Sequence, residues 1–188
     1  MAAPCLAADY AAWSSKDAGG AWTKAAEAAV AETGLPKASP ADVAMFCPKY
    51  SMLAFDQRTQ FWVGLLSAVA RPESGFNPQA RHVERIRDQY ETPVVSRGLL
   101  QISFGTAKSQ QLGCEVVVAA DLEKAETNLA CGARLLAHLV KRDGLISNQG
   151  GRHGKGGASA WPVLRQQSNR FPAITKFTRQ LPVCVLGH

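Results

Sequence analysis

The sequence predicts a mainly α-helical fold that carries a small β-hairpin or loop region. Three observations point there. Apolar residues recur at helical spacing in two long stretches, Phe61-Trp62-Leu65-Leu66-Val69 and Ala125-Leu129-Gly132-Leu136-Leu139-Val140. Residues 1 to 55 are rich in Ala, the strongest helix former. Only residues 79 to 97, polar and mixed in charge and ending in Thr92-Pro93-Val94-Val95, read as a loop or a small hairpin.

Taken in order, the N-terminal stretch reads as two or three short helices. The clearest runs from Gly20 to Thr33, with Gly34 as its stop and Pro36 just beyond. The Phe61 helix is expected to start at a cap on Asp56 and to stop or kink near Arg71, because Pro72 disfavours helical geometry before it. Gly75 is expected at positive φ, turning the chain away. A short helix is expected over Thr106 to Leu112, ended by Gly113. The longest runs from about Asp121 to Arg142, with Gly144 as its stop. Gly132 on its apolar face suits close approach of another helix. GGRHGKGG, Gly150 to Gly157, reads as a flexible loop. Trp161 and Leu164 open another short helix with Pro162 in its first turn.

Composition narrows the function classes. Lys and Arg number 21 against 15 Asp and Glu, a formal charge of +6 that suits a polyanionic partner, whether nucleic acid, a membrane surface or the bacterial cell wall, and does not choose among them. No run of Lys and Arg is interleaved with aromatics, so no nucleic-acid partner is expected. No apolar run reaches the roughly 18 residues of a membrane span, so no membrane insertion is expected.

The five cysteines contain no CxxC pair, which argues against zinc; no metal is expected. Two disulfides and one leftover thiol fit the count, although spacing leaves about fifteen arrangements open. Cys114 and Cys131 sit at the edges of one candidate helical hairpin, and Cys47 with Cys184 would tie the N-terminal part to the C-terminus. Disulfides imply an oxidising compartment such as a periplasm. The opening Met-Ala-Ala-Pro-Cys has no basic segment followed by an apolar core and so is not a signal peptide. Either a leader has been trimmed or the protein travels by another route.

Four segments carry the chemistry: Glu73-Ser74-Gly75-Phe76-Asn77-Pro78, Ser96-Arg97-Gly98-Leu99-Leu100-Gln101-Ile102-Ser103, Asn128-Leu129-Ala130-Cys131-Gly132-Ala133-Arg134-Leu135-Leu136, and Ser159-Ala160-Trp161-Pro162-Val163-Leu164-Arg165. In this order and spacing, over roughly residues 55 to 168, they resemble the lytic transglycosylase and goose-type lysozyme superfamily. The resemblance implies a lysozyme-like fold with the hairpin or loop beside the cleft. Residues 55–188 would form the catalytic domain and residues 1–54 a helical extension packed on its core.

It also implies that Glu73 is the catalytic acid. A glycosidic oxygen leaves poorly until it is protonated, so the acid must hold its proton near neutral pH. Position agrees: a helix C-terminus presents partial negative charge, and Phe76 and Leu99 are candidates to desolvate the carboxyl. By resemblance, Gln101 and Ser103 lie beside the sugar next to the scissile bond. An amide and a hydroxyl suit saccharide hydroxyls and acetamido groups. Ser103 alternatively caps the helix that follows it. Phe76, Ser96 and Asn148 complete the expected substrate-binding set. Glu84, Asp88 and Glu91 are candidates for a second carboxylate, which an inverting hydrolase needs and a transglycosylase does not. Otherwise the three are solvated charges.

One departure matters. Lytic transglycosylases usually carry an Ala-Tyr-Asn-Ala-Gly element after the core helix; here Ile146-Ser147-Asn148-Gln149-Gly150-Gly151 stands in its place, without the Tyr. That favours a hydrolase. The expected activity is a muramidase that cleaves the β-1,4 bond between N-acetylmuramic acid and N-acetylglucosamine in peptidoglycan glycan strands. No cofactor is implied. Disulfides without a leader resemble the muramidase effectors of type VI secretion, which are secreted into the periplasm of a target cell and blocked at the cleft by an immunity protein. The alternatives are a remodelling transglycosylase, a phage-associated lysin and a non-catalytic glycan-binding module.

Overall fold

The computed structural model describes residues 10–17, 19–87, 92–109, 111–148 and 154–185. Among these residues, seven α-helices and three strands follow in the order α1 (Ala21–Thr33), α2 (Val43–Phe46), α3 (Phe55–Ser74), β1 (Arg81–Arg87), β2 (Pro93–Arg97), β3 (Ile102–Ser103), α4 (Phe104–Ala107), α5 (Ala125–Asp143), α6 (Phe171–Arg179) and α7 (Pro182–Val185). The sheet order is β1-β2-β3, antiparallel throughout. The fold is mainly helical with one small sheet, the class the apolar spacing predicts.

Helix α3 is the axle. Residues 61 to 70 are all buried, so this stretch of the helix has no solvent face and other elements surround it. Helices α1, α6 and α7 pack on it. At Gly64 an added Cβ would lie 2.6 Å from Leu181 Cδ1, so the missing side chain makes room for this leucine of the C-terminal segment. Trp62 donates through Nε1 to the Tyr50 hydroxyl at 2.8 Å, which satisfies both polar groups inside an aromatic cluster completed by Phe61.

The N-terminal residues share this core. Trp13 is fully buried, and the Ala12 N–H donates to Ser67 Oγ of α3 at 2.8 Å. Asp17 accepts the N–H groups of Trp22 and Thr23, donors that the first turn of α1 leaves without helical partners. Farther on, Asp42 accepts from the Ile146 and Ser147 N–H groups and from Ser147 Oγ, pinning the segment that follows α5. The disulfides join Cys47 to Cys184 and Cys114 to Cys131.

Several element boundaries differ from expectation. Helix α3 does not stop at Arg71; it runs through Pro72 to Ser74 and ends at Gly75, whose φ is 60°. Pro72 costs the helix one ladder donor, the one that would bond the Ala68 carbonyl, but the turn around it still closes: the Gly75 N–H donates to the Arg71 carbonyl and Ser74 Oγ to that of Ala70. Asp56 sits in the first turn rather than at the cap; the cap is Ala54, whose N–H donates to Gln57 Oε1. The hairpin forms, and a third strand at Ile102–Ser103 joins it. The helix expected at Thr106 to Leu112 is α4, which starts earlier and is shorter. Helix α5 starts at Ala125, because a 3-10 turn occupies Ala119–Glu123. Gly132 meets no helix: its missing Cβ makes room for Leu100, whose Cδ1 would lie 2.1 Å away. Of the glycine loop, the described end is tightly packed. Gly156 and Gly157 are buried in a 3-10 turn, and a Cβ on Gly156 would lie 2.0 Å from the Leu145 carbonyl oxygen.

Candidate active site

A cleft of about 920 Å³ opens between the end of α3, the sheet, Leu135 and Leu139 on the apolar face of α5, and the Ser159–Val163 segment. Glu73 lies in its wall, in the last turn of α3. The side chain is partly buried. Burial, and next the charge of Glu84, push its carboxyl from the ordinary 4.5 up to about 7. The α3 C-terminus adds in the same direction, since its last carbonyls present partial negative charge. At neutral pH a large share of Glu73 therefore still carries its proton, as a general acid requires.

Glu84 reaches the same cleft from β1. Its place follows from an irregularity in the sheet. The register pairs Val83 with Val95 and Arg87 with Pro93. Three β1 residues, Glu84 to Ile86, thus face one β2 residue, Val94. Such a bulge bends a strand and re-aims its side chains. Glu84 Oε1 accepts a 2.7 Å hydrogen bond from Ser96 Oγ on β2, and His82 Nε2 lies 4.0 Å from Oε2. Asp88 and Glu91, the other candidates for a second carboxylate, lie outside the described residues.

The floor of the cleft is the Gly98–Ser103 strip, built around Asn128. This fully buried side chain accepts the Leu100 N–H at 2.8 Å and donates to the carbonyls of Arg97 and Leu122. Gly98 holds φ 76°, and an added Cβ would stand 2.1 Å from the Leu122 carbonyl oxygen. Gln101 adopts φ 48°, rare for a residue with a Cβ. Its Nε2 donates to the carbonyls of Gly98 and Ala80. Both described bonds use the amide nitrogen, so the amide oxygen is the atom left for a ligand. Trp161 Nε1 donates to the Leu100 carbonyl at 2.8 Å and ties the opposite wall to this floor. Behind the sheet, Glu123 accepts from Arg81 at 2.7 Å and Arg97 at 2.6 Å, and these bonds hold its carboxyl below the usual range.

Four expected site residues therefore share the cleft with Glu73: Glu84, Ser96, Gln101 and Ser103. Ser103 Oγ also caps α4 by accepting the Thr106 N–H. Two others are placed elsewhere. Phe76, at φ 65°, stacks under the Arg71 guanidinium and against the core rather than lining the cleft. Asn148 forms a bridge with Arg165 and is not among the cleft-lining residues. Its neighbours Gln149 to His153 lie outside the described residues. Sequence reasoning did not assign a role to Asn128, His82, Arg81 or Glu123. For Asn128 a signal was available: a fully polar amide on the apolar face of α5 needs buried partners.

Residues 52–148 match the transglycosylase SLT domain. Among solved structures, the chain is similar to a Glu-to-Gln mutant of Bd0314 DslA, at 36% identity over 93% of this chain and 97% of that one, with a TM-score of 0.86. Wild-type Bd0314 DslA gives 37% identity, 92% and 96% coverage, and a TM-score of 0.84. A second Glu-to-Gln mutant of that protein, changed eleven positions from the first, gives the same values. No protein among the curated sequences matches. A proton-holding Glu at the end of a buried helix, over a GLLQIS floor, sits inside a matched domain and a matched fold. On these grounds the chain belongs to the transglycosylase SLT domain family of the lysozyme-like superfamily, whose members act on peptidoglycan as glycosidases or lytic transglycosylases.

Proposed function

We propose that the chain is a muramidase that hydrolyses the β-1,4 bond between N-acetylmuramic acid and N-acetylglucosamine, with Glu73 as acid and Glu84 as base. The observation that carries this reading is Glu84 itself: a second carboxylate in the same cleft, near enough for its charge to raise the Glu73 carboxyl. The eleven-residue interval between Glu73 and Glu84 equals that between the two substituted glutamates of Bd0314 DslA, which supports treating them as a pair.

In the reaction Glu73 donates its proton to the glycosidic oxygen as the bond to the anomeric carbon breaks. Glu84 takes a proton from a water that attacks that carbon, and the sugar leaves with a new hydroxyl at its reducing end. Gln101 and Ser103, on the floor, offer polar atoms to the sugar. The absence of the Ala-Tyr-Asn-Ala-Gly element favours water over an internal sugar hydroxyl as nucleophile. The family description favours the opposite outcome, in which the 6-hydroxyl of muramic acid attacks and a 1,6-anhydro end forms. We extend the reading to an antibacterial effector delivered by type VI secretion. It would act in a target periplasm and be neutralised by an immunity protein over the open cleft. Two disulfides suit that compartment.

Mass spectrometry of digested sacculi tests the central step. Reducing muramic ends are expected, with Glu84→Gln losing about a hundredfold or more in rate. Anhydro ends, or a Glu84→Gln variant as fast as wild type, contradict the hydrolytic pair.

A further inference from the structure

Ser96 stands against Glu84 in a way that separates it from the other cleft residues. It is only 7% exposed, in the middle strand of the sheet, paired to His82 on β1 and to Ser103 on β3. Its neighbours on both sides fix its backbone. Glu84 has the reverse situation: it sits in the bulge, without a register partner on β2. The 2.7 Å bond from Ser96 Oγ to Glu84 Oε1 crosses from the fixed strand to the irregular one.

We infer that Ser96 is a positioning residue: its hydroxyl fixes the Glu84 carboxylate to receive the water proton, and it does not itself hold the sugar. This rests on the reading of Glu84 as base. A serine hydroxyl does not titrate in the working range, so it donates at every pH at which the enzyme acts. A donor on a carboxylate favours the ionised form and restricts the side-chain rotamer. Occupying Oε1 leaves Oε2 as the oxygen that faces the water.

The other charged groups around Glu84 do not duplicate this role. Glu73 faces it from α3 and repels it. His82, on the same strand, lies 4.0 Å from Oε2 with its side chain 69% exposed. Arg81 and Arg97 are engaged by Glu123. Among the described residues, Ser96 is therefore the one neutral side chain that donates to Glu84.

The test compares Ser96→Ala, Ser96→Thr and His82→Gln with wild type in the full chain, on soluble glycan fragments across the pH profile. Ser96→Ala is expected to lower kcat by about tenfold to a hundredfold, as loss of a supporting hydrogen bond does, with KM within about twofold. The acid limb of its kcat profile should move to higher pH. Ser96→Thr keeps the donor and should restore most of the rate. His82→Gln should leave the acid limb in place. If Ser96→Ala folds poorly, Ser96→Cys keeps the volume, weakens the donor and carries the same comparison.

A Ser96→Ala enzyme with raised KM, unchanged kcat and an unmoved acid limb would make Ser96 a sugar contact and overturn the inference. So would wild-type behaviour, or a Thr variant no better than Ala. Glu84→Gln, assayed alongside, separates the two levels. If it retains full kcat, the base assignment itself falls. If it is inactive while Ser96→Ala behaves as wild type, only the inference falls.

Discussion

At the scale of one residue, Glu73 sets stability against function. An acid raised from 4.5 in the unfolded chain to about 7 in the fold binds its proton more tightly when folded. Stability therefore falls as pH rises through that window, and the whole penalty is present above it. The shift corresponds to about 3 kcal/mol at most, and less because the side chain is partly exposed to screening water. Glu73→Gln removes the ionising group and keeps the shape. Thermal unfolding of the variant and wild type should give a midpoint gain for Glu73→Gln at pH 8 that is much reduced at pH 4. An equal difference at both pH values would mean that the carboxyl is not desolvated. Glu73 was legible in the sequence as the candidate acid because Glu73-Ser-Gly-Phe-Asn-Pro and Gly98-Leu-Leu-Gln-Ile-Ser are local patterns. That Glu84 would enter the same cleft was not legible. Its place depends on a bulge, and a bulge follows from the registers of two strands together rather than from either alone.

At the scale of the element, the cleft floor is a loop made rigid by a helix. Asn128 reaches out of α5 and binds three backbone groups of the strip and of the turn before the helix. Gly98 is shaped to that amide: a Cβ there would also stand 2.3 Å from Asn128 Nδ2. Gly98→Ala should therefore act twice, through strain at φ 76° and by displacing Asn128. A loss of about 2 to 4 kcal/mol in denaturant unfolding is expected, together with loss of activity. A variant with unchanged stability and full activity would show that the floor does not depend on this fit. The same contacts explain where periodicity misled. The apolar repeat through Ala125 and Leu129 predicts a helix from Asp121, but the Asp121 carboxylate accepts the Val117 and Val118 N–H groups and holds a 3-10 turn instead. A side chain that bonds locally competes with the helix, and spacing of apolar residues does not report it. Pro72 shows the converse: a breaker two residues from the end of a helix costs one donor and does not stop the last turn from closing.

At the scale of the molecule, the N-terminal residues and the C-terminal helices close around α3. Residues 10 to 54 contribute Trp13, Val30, Leu35, Phe46 and Tyr50 to the same buried core as α3 and α5. Cys47–Cys184 spans 137 positions and Cys114–Cys131 spans 17. Loop-closure entropy assigns the long link about 5 kcal/mol and the short one about 3. Replacing Cys47 and Cys184 by Ser should thus lower the melting midpoint more than replacing Cys114 and Cys131, and scanning calorimetry reads the order. The reverse order would place the weight on local packing rather than on chain closure.

Direct titration of the Glu73 carboxyl by carbon NMR, in wild type and in Glu84→Gln, tests the account most directly. A midpoint at about 7 in wild type is predicted, moving to lower pH when the Glu84 charge is removed. A midpoint near the ordinary 4.5, or one that ignores Glu84, would contradict the claim that this cleft keeps an acid protonated for glycosidic cleavage.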